Sequence, residues 1–170
     1  MTKGIGRFEK VSFSQFYAGV HEVMPEKLEE EVEILYEELK LPRRATKGSA
    51  GYDFFAPYSF DLKPGQTVKI PTGIRVVMDE SWVLMCFPRS GLGFKYRLQL
   101  NNTVGIIDSD YYYSDNEGHI FAKLTNDSNE NKSLVIQLGQ GFMQGIFLQY
   151  GLIEGDDTAT ERNGGFGSTT

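Results

Sequence analysis

Short runs rich in β-branched and aromatic residues recur along the chain at 67–70, 73–78, 82–87, 98–101, 119–124, 134–138 and 145–150. Turn chemistry separates them: Lys63-Pro64-Gly65, Pro71-Thr72-Gly73, Asp79-Glu80-Ser81 and the polar stretch 126–131. Strands of this length and spacing bury their apolar faces only by wrapping into a barrel or pairing as a sandwich. The 19 glycines and the 13% aromatic content suit such a chain. The expected class is all-β.

A chain of 170 residues predicts one domain, long enough to bury a core without disulfide or metal staples. Cys86 is the sole cysteine and His21 and His119 stand far apart, which argues against a disulfide framework and a Cys/His zinc cage. Both histidines read as ordinary surface residues. The longest apolar run, 82–87, is far short of the ~20 residues of a membrane helix. No apolar leader follows Lys3 and Arg7, so a cytoplasmic protein is expected, and the sequons at Asn101, Asn126 and Asn131 read as loop asparagines. A net charge of −6 disfavours general attraction to nucleic acid or to an anionic membrane, so any anionic ligand must be held by local cations.

Two regions depart from the strand pattern. Between 25 and 40, Leu28, Val32, Leu35 and Leu39 follow helical spacing in a glutamate-rich stretch, whereas Val32, Ile34 and Tyr36 also alternate as a strand would. The stretch 154–170 is rich in Gly, Asp, Thr and Ser and nearly devoid of apolar residues, and reads as a mobile tail.

General nucleotide fingerprints and hydrolase elbows are lacking. Gly139-x-Gly141-x-x-x-Gly145 misses the dinucleotide spacing by a residue and has no helix predicted after it. Three other segments carry more chemistry. Pro88-Arg89-Ser90-Gly91-Leu92-Gly93 follows an apolar strand with a cation, a hydroxyl and two glycines, a composition suited to an anion or to a plain strand-ending turn. Gly105-Ile106-Ile107-Asp108-Ser109-Asp110-Tyr111 sets two carboxylates of equal strand parity beside an aromatic ring, after an apolar run able to hold one in a dry cleft as a base; Asp-Ser-Asp is equally a common turn. Arg162-Asn163-Gly164-Gly165-Phe166-Gly167-Ser168-Thr169-Thr170 places a cation, a stackable ring and hydroxyls on a glycine hinge, as a closing lid requires.

Taken in order, these segments resemble the five motifs of the trimeric dUTP pyrophosphatases (dUTPases) over 41–170. The first corresponds to Ala50-Gly51-Tyr52-Asp53-Phe54-Phe55-Ala56, the second to 88–93 with Lys95 close behind, and the third to 102–111. The fourth, Gly139-Gln140-Gly141-Phe142-Met143-Gln144, is less complete, and the fifth is 162–169. The resemblance implies a jelly-roll-like β-barrel at 32–153, with 32–36 as its first strand, an N-terminal extension at 1–31 outside the motifs, and a C-terminal lid at 154–170. It further implies a homotrimer that builds each active site from several subunits.

The implied activity is hydrolysis of dUTP to dUMP and pyrophosphate, limiting uracil in DNA and supplying dUMP for dTMP synthesis. Asp108 would be the buried general base directing water at the α-phosphorus. Tyr111 would underlie the deoxyribose, and Asn102 with the backbone of a β-hairpin, including Gly105 and Ile107, would read the uracil. Ser90 would hold the α/β-phosphate region and Gln144 would also contact phosphate. Arg162 and Ser168 would clasp the outer phosphates while Phe166 stacks on the base, with Gly91 and Gly167 also among the substrate-binding residues. Arg89 and Asp53 would form a positioning pair near the triphosphate. The implied cofactor is Mg²⁺, held chiefly by phosphates and water, with Asp53 reaching it at most through a water.

Departures from the pattern lie at 112–118, a longer hairpin tip beside the site, and at Gly141, where the family usually carries arginine. Two rivals share the motifs. A dCTP deaminase-like enzyme of the same fold would carry a glutamate where Lys123 stands. A nucleotide-sensing regulatory protein that binds a repressor would need no positioned base.

Overall fold

The structure, a computed structural model, describes residues 4–160 and 162–164. From the N-terminus the chain forms strand β1 (Gly6–Lys10), helices α1 (Phe13–Val23) and α2 (Glu29–Glu37), and strands β2 (Arg43–Arg44), β3 (Tyr52–Phe55), β4 (Phe60–Leu62), β5 (Thr67–Pro71), β6 (Ile74–Met78) and β7 (Trp82–Pro88). Helix α3 (Ser90–Tyr96), strands β8 (Leu98–Leu100) and β9 (Gly105–Ile107), a 3₁₀ turn at Ser109–Tyr113, and strands β10 (Phe121–Asn126), β11 (Leu134–Ile136) and β12 (Gly141–Gln149) complete it. The strands form four antiparallel sheets, ordered β2-β3-β12-β7-β9, β5-β10-β8, β1-β6 and β11-β4. The all-β, jelly-roll-like expectation holds for the core, although the sheets do not join into one closed barrel.

Strand alternation explains the packing. Along β6, Ile74, Val76 and Met78 turn inward, and along β10, Ala122 and Leu124 do so. They meet Phe54, Leu84, Leu98, Ile136 and Phe142 in one core. A second, smaller core is built from Val11, Phe16, Val20, Val32 and Leu39, where α1 packs against α2 and lies along β5.

That second core settles the ambiguous segment. Residues 32–36 are helical, against the first strand implied by the resemblance. Val32 is fully buried while Ile34 is 66% exposed, so the alternation of Val32, Ile34 and Tyr36 has no sheet face to serve. The helical set Val32, Leu35 and Leu39 meets α1 instead. Three glutamates occupy the first turn of α2, and Glu31 accepts the Leu28 N–H at 2.9 Å.

Two further expectations are corrected. His119 is wholly buried: its Nε2 accepts the Gly73 N–H at 2.9 Å, and its ring packs against Phe16 and Phe121. Asn126 is a buried strand end, donating from Nδ2 to the carbonyls of Leu62 and Lys132 at 2.9 Å each, which ties β10 to the flanks of β4 and β11. Among the described residues no helix is long and apolar enough to cross a membrane.

Candidate functional site

The third motif is delivered by two strands that pair out of sequence order. β9 lies along β7, with Gly105 opposite Cys86 and Ile107 opposite Leu84. The turn before β9 carries Asn102, closed by hydrogen bonds from Thr103 N–H to Leu100 C=O and from Val104 N–H to Asn102 C=O. β8 pairs with β10 rather than with β9, so this turn joins two sheets and is not the tip of a paired hairpin. Between these elements lies a cavity of about 230 Å³ lined by Asn102, Gly105, Ile107, Asp108, Tyr111 and Arg162 together with apolar groups.

Asp108 stands where β9 gives way to the 3₁₀ turn, and Asp110 lies inside that turn. They share a partner without sharing a strand. Arg162 donates from one terminal nitrogen to Asp108 Oδ2 at 2.5 Å and from Nε to Asp110 Oδ1 at 2.8 Å, and it also bonds the Gly164 carbonyl. The expected burial of Asp108 is not seen in the single chain: its side chain is 46% exposed, against 21% for Arg162. Ile106, two residues earlier, lines the same cavity and is itself about half exposed, so this part of the apolar run does not enclose the carboxylate.

The opposite wall is dry. Tyr111 is buried, donates its hydroxyl to the His119 carbonyl at 2.7 Å and accepts from Asn116 Nδ2 at 2.8 Å. Burial raises its pKa. Cys86 lines the same wall, and burial pushes its thiol up to about 12, so it offers no thiolate nucleophile near neutral pH.

The first, second and fourth motifs meet elsewhere. Asp53 on β3 faces Gln144 on β12, and Asp53 Oδ1 pairs with Arg89 Nε at 3.2 Å. Arg89 also donates to the Gly141 carbonyl, and Gln144 Nε2 donates to the Pro88 carbonyl. A Cβ at position 141 would stand 2.8 Å from an Arg89 guanidinium nitrogen, so Gly141 leaves room for the Arg89 side chain. Ser90 and Gly91, at the start of α3, are exposed. None of Asp53, Arg89, Ser90, Gly91 or Gln144 lines the cavity that holds Asp108. Phe166, Gly167 and Ser168 lie outside the described residues.

Sequence reasoning missed Cys86, Met143, Ile120 and Phe121 as cavity lining, and Asn116 as the partner of Tyr111. Cys86, Ile120 and Phe121 were legible only as strand residues and Met143 only as part of the fourth motif; Asn116 sat in the segment read as a hairpin tip. Lys123 is exposed on β10, opposite Lys69.

A family model for dUTPase matches residues 37–170. The deoxyuridine 5'-triphosphate nucleotidohydrolase of Lactococcus lactis is 41% identical over 134 residues, covering 77% of this chain and 88% of its own. The solved dUTPase of Streptococcus mutans aligns with a TM-score of 0.64 at 33% identity, over 88% of this chain and 99% of that one. A mutant dUTPase of Staphylococcus bacteriophage 80alpha, solved with dUpNHpp, shares the fold at a TM-score of 0.63 and 18% identity, over 93% of this chain and 98% of its own. With the family match spanning most of the chain, this protein belongs to the dUTPase family.

Proposed function

We propose that this chain hydrolyses dUTP to dUMP and pyrophosphate, limiting uracil in DNA and supplying dUMP for thymidylate synthesis. The observation that carries the reading is the meeting of Asp108, Tyr111, Asn102 and Arg162 around one cavity. Asp108 takes a proton from water as its oxygen attacks the α-phosphorus; the α–β bridging P–O bond breaks and pyrophosphate departs with the bridging oxygen. Tyr111 forms the floor beneath the sugar, where a 2'-hydroxyl lacks room, and Asn102 with the backbone at Gly105 and Ile107 reads the base. Arg162 holds both carboxylates until a triphosphate, a denser anion, draws the guanidinium away and frees Asp108.

Mg²⁺ fits this chain only as a companion of the substrate phosphates. No cluster of acidic, histidine or cysteine ligands able to cage a metal exists among the described residues, and Asp53 is already paired with Arg89. When bound, the ion neutralises phosphate charge and favours pyrophosphate departure. Asp53 reaches it at most through a water.

Assembly into a homotrimer accounts for the division of the motifs on one chain. Ser90, Gly91, Arg89 and Gln144 complete the site of a neighbouring copy, and Phe166, Gly167 and Ser168 close over it. The exposed Phe94, Ile106, Leu152 and Ile153 supply apolar surface for such contacts.

The test is pyrophosphate release from dUTP, dTTP, UTP and dCTP, repeated on Asp108→Asn. Turnover of dUTP alone, lost in the variant, is expected; equal turnover of UTP contradicts the sugar floor.

A further inference from the structure

Two segments outside the shared motifs, the N-terminal stretch and the 112–118 loop, bind each other, and their contact ends on Tyr111. Ser12 caps α1, accepting the Gln15 N–H at 3.2 Å. The same residue donates its hydroxyl to Glu117 Oε1 at 2.6 Å and its backbone N–H to Glu117 Oε2 at 2.8 Å. Glu117 therefore lies at the positive end of α1 with both oxygens engaged. Its backbone is left-handed, with φ of 58°, where a glycine would be cheaper. A strained glutamate that spends both oxygens on one distant residue marks a contact the loop is built around.

From Glu117 the loop leads directly to the cavity. Asn116 accepts the Gly118 N–H and donates Nδ2 to the Tyr111 hydroxyl, which in turn donates to the His119 carbonyl. The neighbouring Tyr112 is fixed the same way: its hydroxyl donates to Glu9 of β1 at 2.8 Å, and the Arg75 guanidinium, paired with Glu9, lies 4.4 Å over its ring. Helix α1 presses on His119 from behind, where a Cβ at Gly19 would stand 2.9 Å from the imidazole. The Tyr111 hydroxyl is thus held by Asn116 and by the His119 carbonyl, both outside the common motifs.

We propose that Glu117 and Ser12 are positioning residues for substrate selection: their contact sets the depth of the 114–118 loop and, through Asn116, of the Tyr111 ring, so that the N-terminal extension takes part in discriminating deoxyribose from ribose. The inference rests on Tyr111 as the floor beneath the sugar. A ring released from this grip retreats, and the space for a 2'-hydroxyl opens.

The experiment measures kcat and KM for pyrophosphate release from dUTP and UTP, with circular dichroism as the check on folding. Glu117→Gly removes the carboxylate at a position whose backbone suits glycine. The ratio of kcat/KM for dUTP over UTP is expected to fall ~10-fold, mainly by a rise in KM for dUTP and a gain in UTP turnover. Glu117→Gln, which keeps an acceptor for Ser12, is expected to recover most of that ratio. Ser12→Ala, which spares the loop, is expected to lower it ~3-fold and decides the matter if the glycine variant does not fold. An unchanged ratio in the folded variants overturns the proposal. A wild-type protein that releases no pyrophosphate from dUTP overturns the function itself, a failure distinct from wild-type discrimination that the variants retain.

Discussion

The two walls of the cavity are built on opposite principles. The polar wall holds Asp108 and Asp110, each about half exposed, and the less exposed Arg162, joined by charged hydrogen bonds. The dry wall holds Tyr111, Cys86 and, behind them, His119, all buried, with the tyrosine hydroxyl and the histidine Nε2 hydrogen-bonded. Ion pairs at this exposure are worth ~0.2–1 kcal/mol each, so a triphosphate can exchange them at little cost. A buried hydroxyl that loses its partner costs ~1–3 kcal/mol, so the dry wall does not rearrange as substrate enters. On the proposed function, chemistry falls to the wall whose contacts are exchangeable and selectivity to the wall whose contacts are not.

Asp108→Asn should break the polar wall at its centre. Loss of the base is expected to lower kcat ~10³-fold or more while melting stays near the wild-type value, read by pyrophosphate release and thermal denaturation. Phe16→Ala acts behind the dry wall. Phe16 is fully buried between α2 and His119, and its truncation is expected to cost ~3–5 kcal/mol in denaturant unfolding.

His119 gives the dry wall a pH signature. Burial lowers its pKa from 6.5 to about 4, against the pull of Glu117 and with some help from Lys69. The unfolded chain binds the proton more readily, so the contribution is complete above pH 6.5 and is lost as pH falls toward 4. Over that window it amounts to ~3 kcal/mol, which unfolding curves at several pH values should show and His119→Asn should flatten. The smallest effect is expected from Arg162→Ala: a fall of ~10-fold to ~100-fold in kcat/KM with stability unchanged within ~0.5 kcal/mol, since this cation is held by exposed partners.

The family motifs were legible where they lie in contiguous runs. Asp108, Arg89 and Arg162 could be named because each sits in a short run that resembles a dUTPase motif, although composition alone left the first two open to a plain turn. β7 and β10 were legible from their alternation. The segment around Val32 was not, because its apolar residues satisfy both periods; what decides is α1, itself signalled by Ser12 ahead of Phe13, Phe16 and Val20 and passed over. His119 misled for another reason. Its burial depends on the Gly73 N–H, a donor 46 residues away that no local pattern reveals. The exposure of Asp108 was likewise hidden, because the apolar run before it reads as wholly interior whereas Ile106 is about half exposed at the same cavity.

The central claim is that water directed by Asp108 attacks the innermost phosphorus of dUTP. Turnover in heavy-oxygen water, with mass analysis of both products, tests it most directly. The label is expected in dUMP, with none in pyrophosphate and no turnover by Asp108→Asn. Label in pyrophosphate, or undiminished turnover by that variant, would contradict the account.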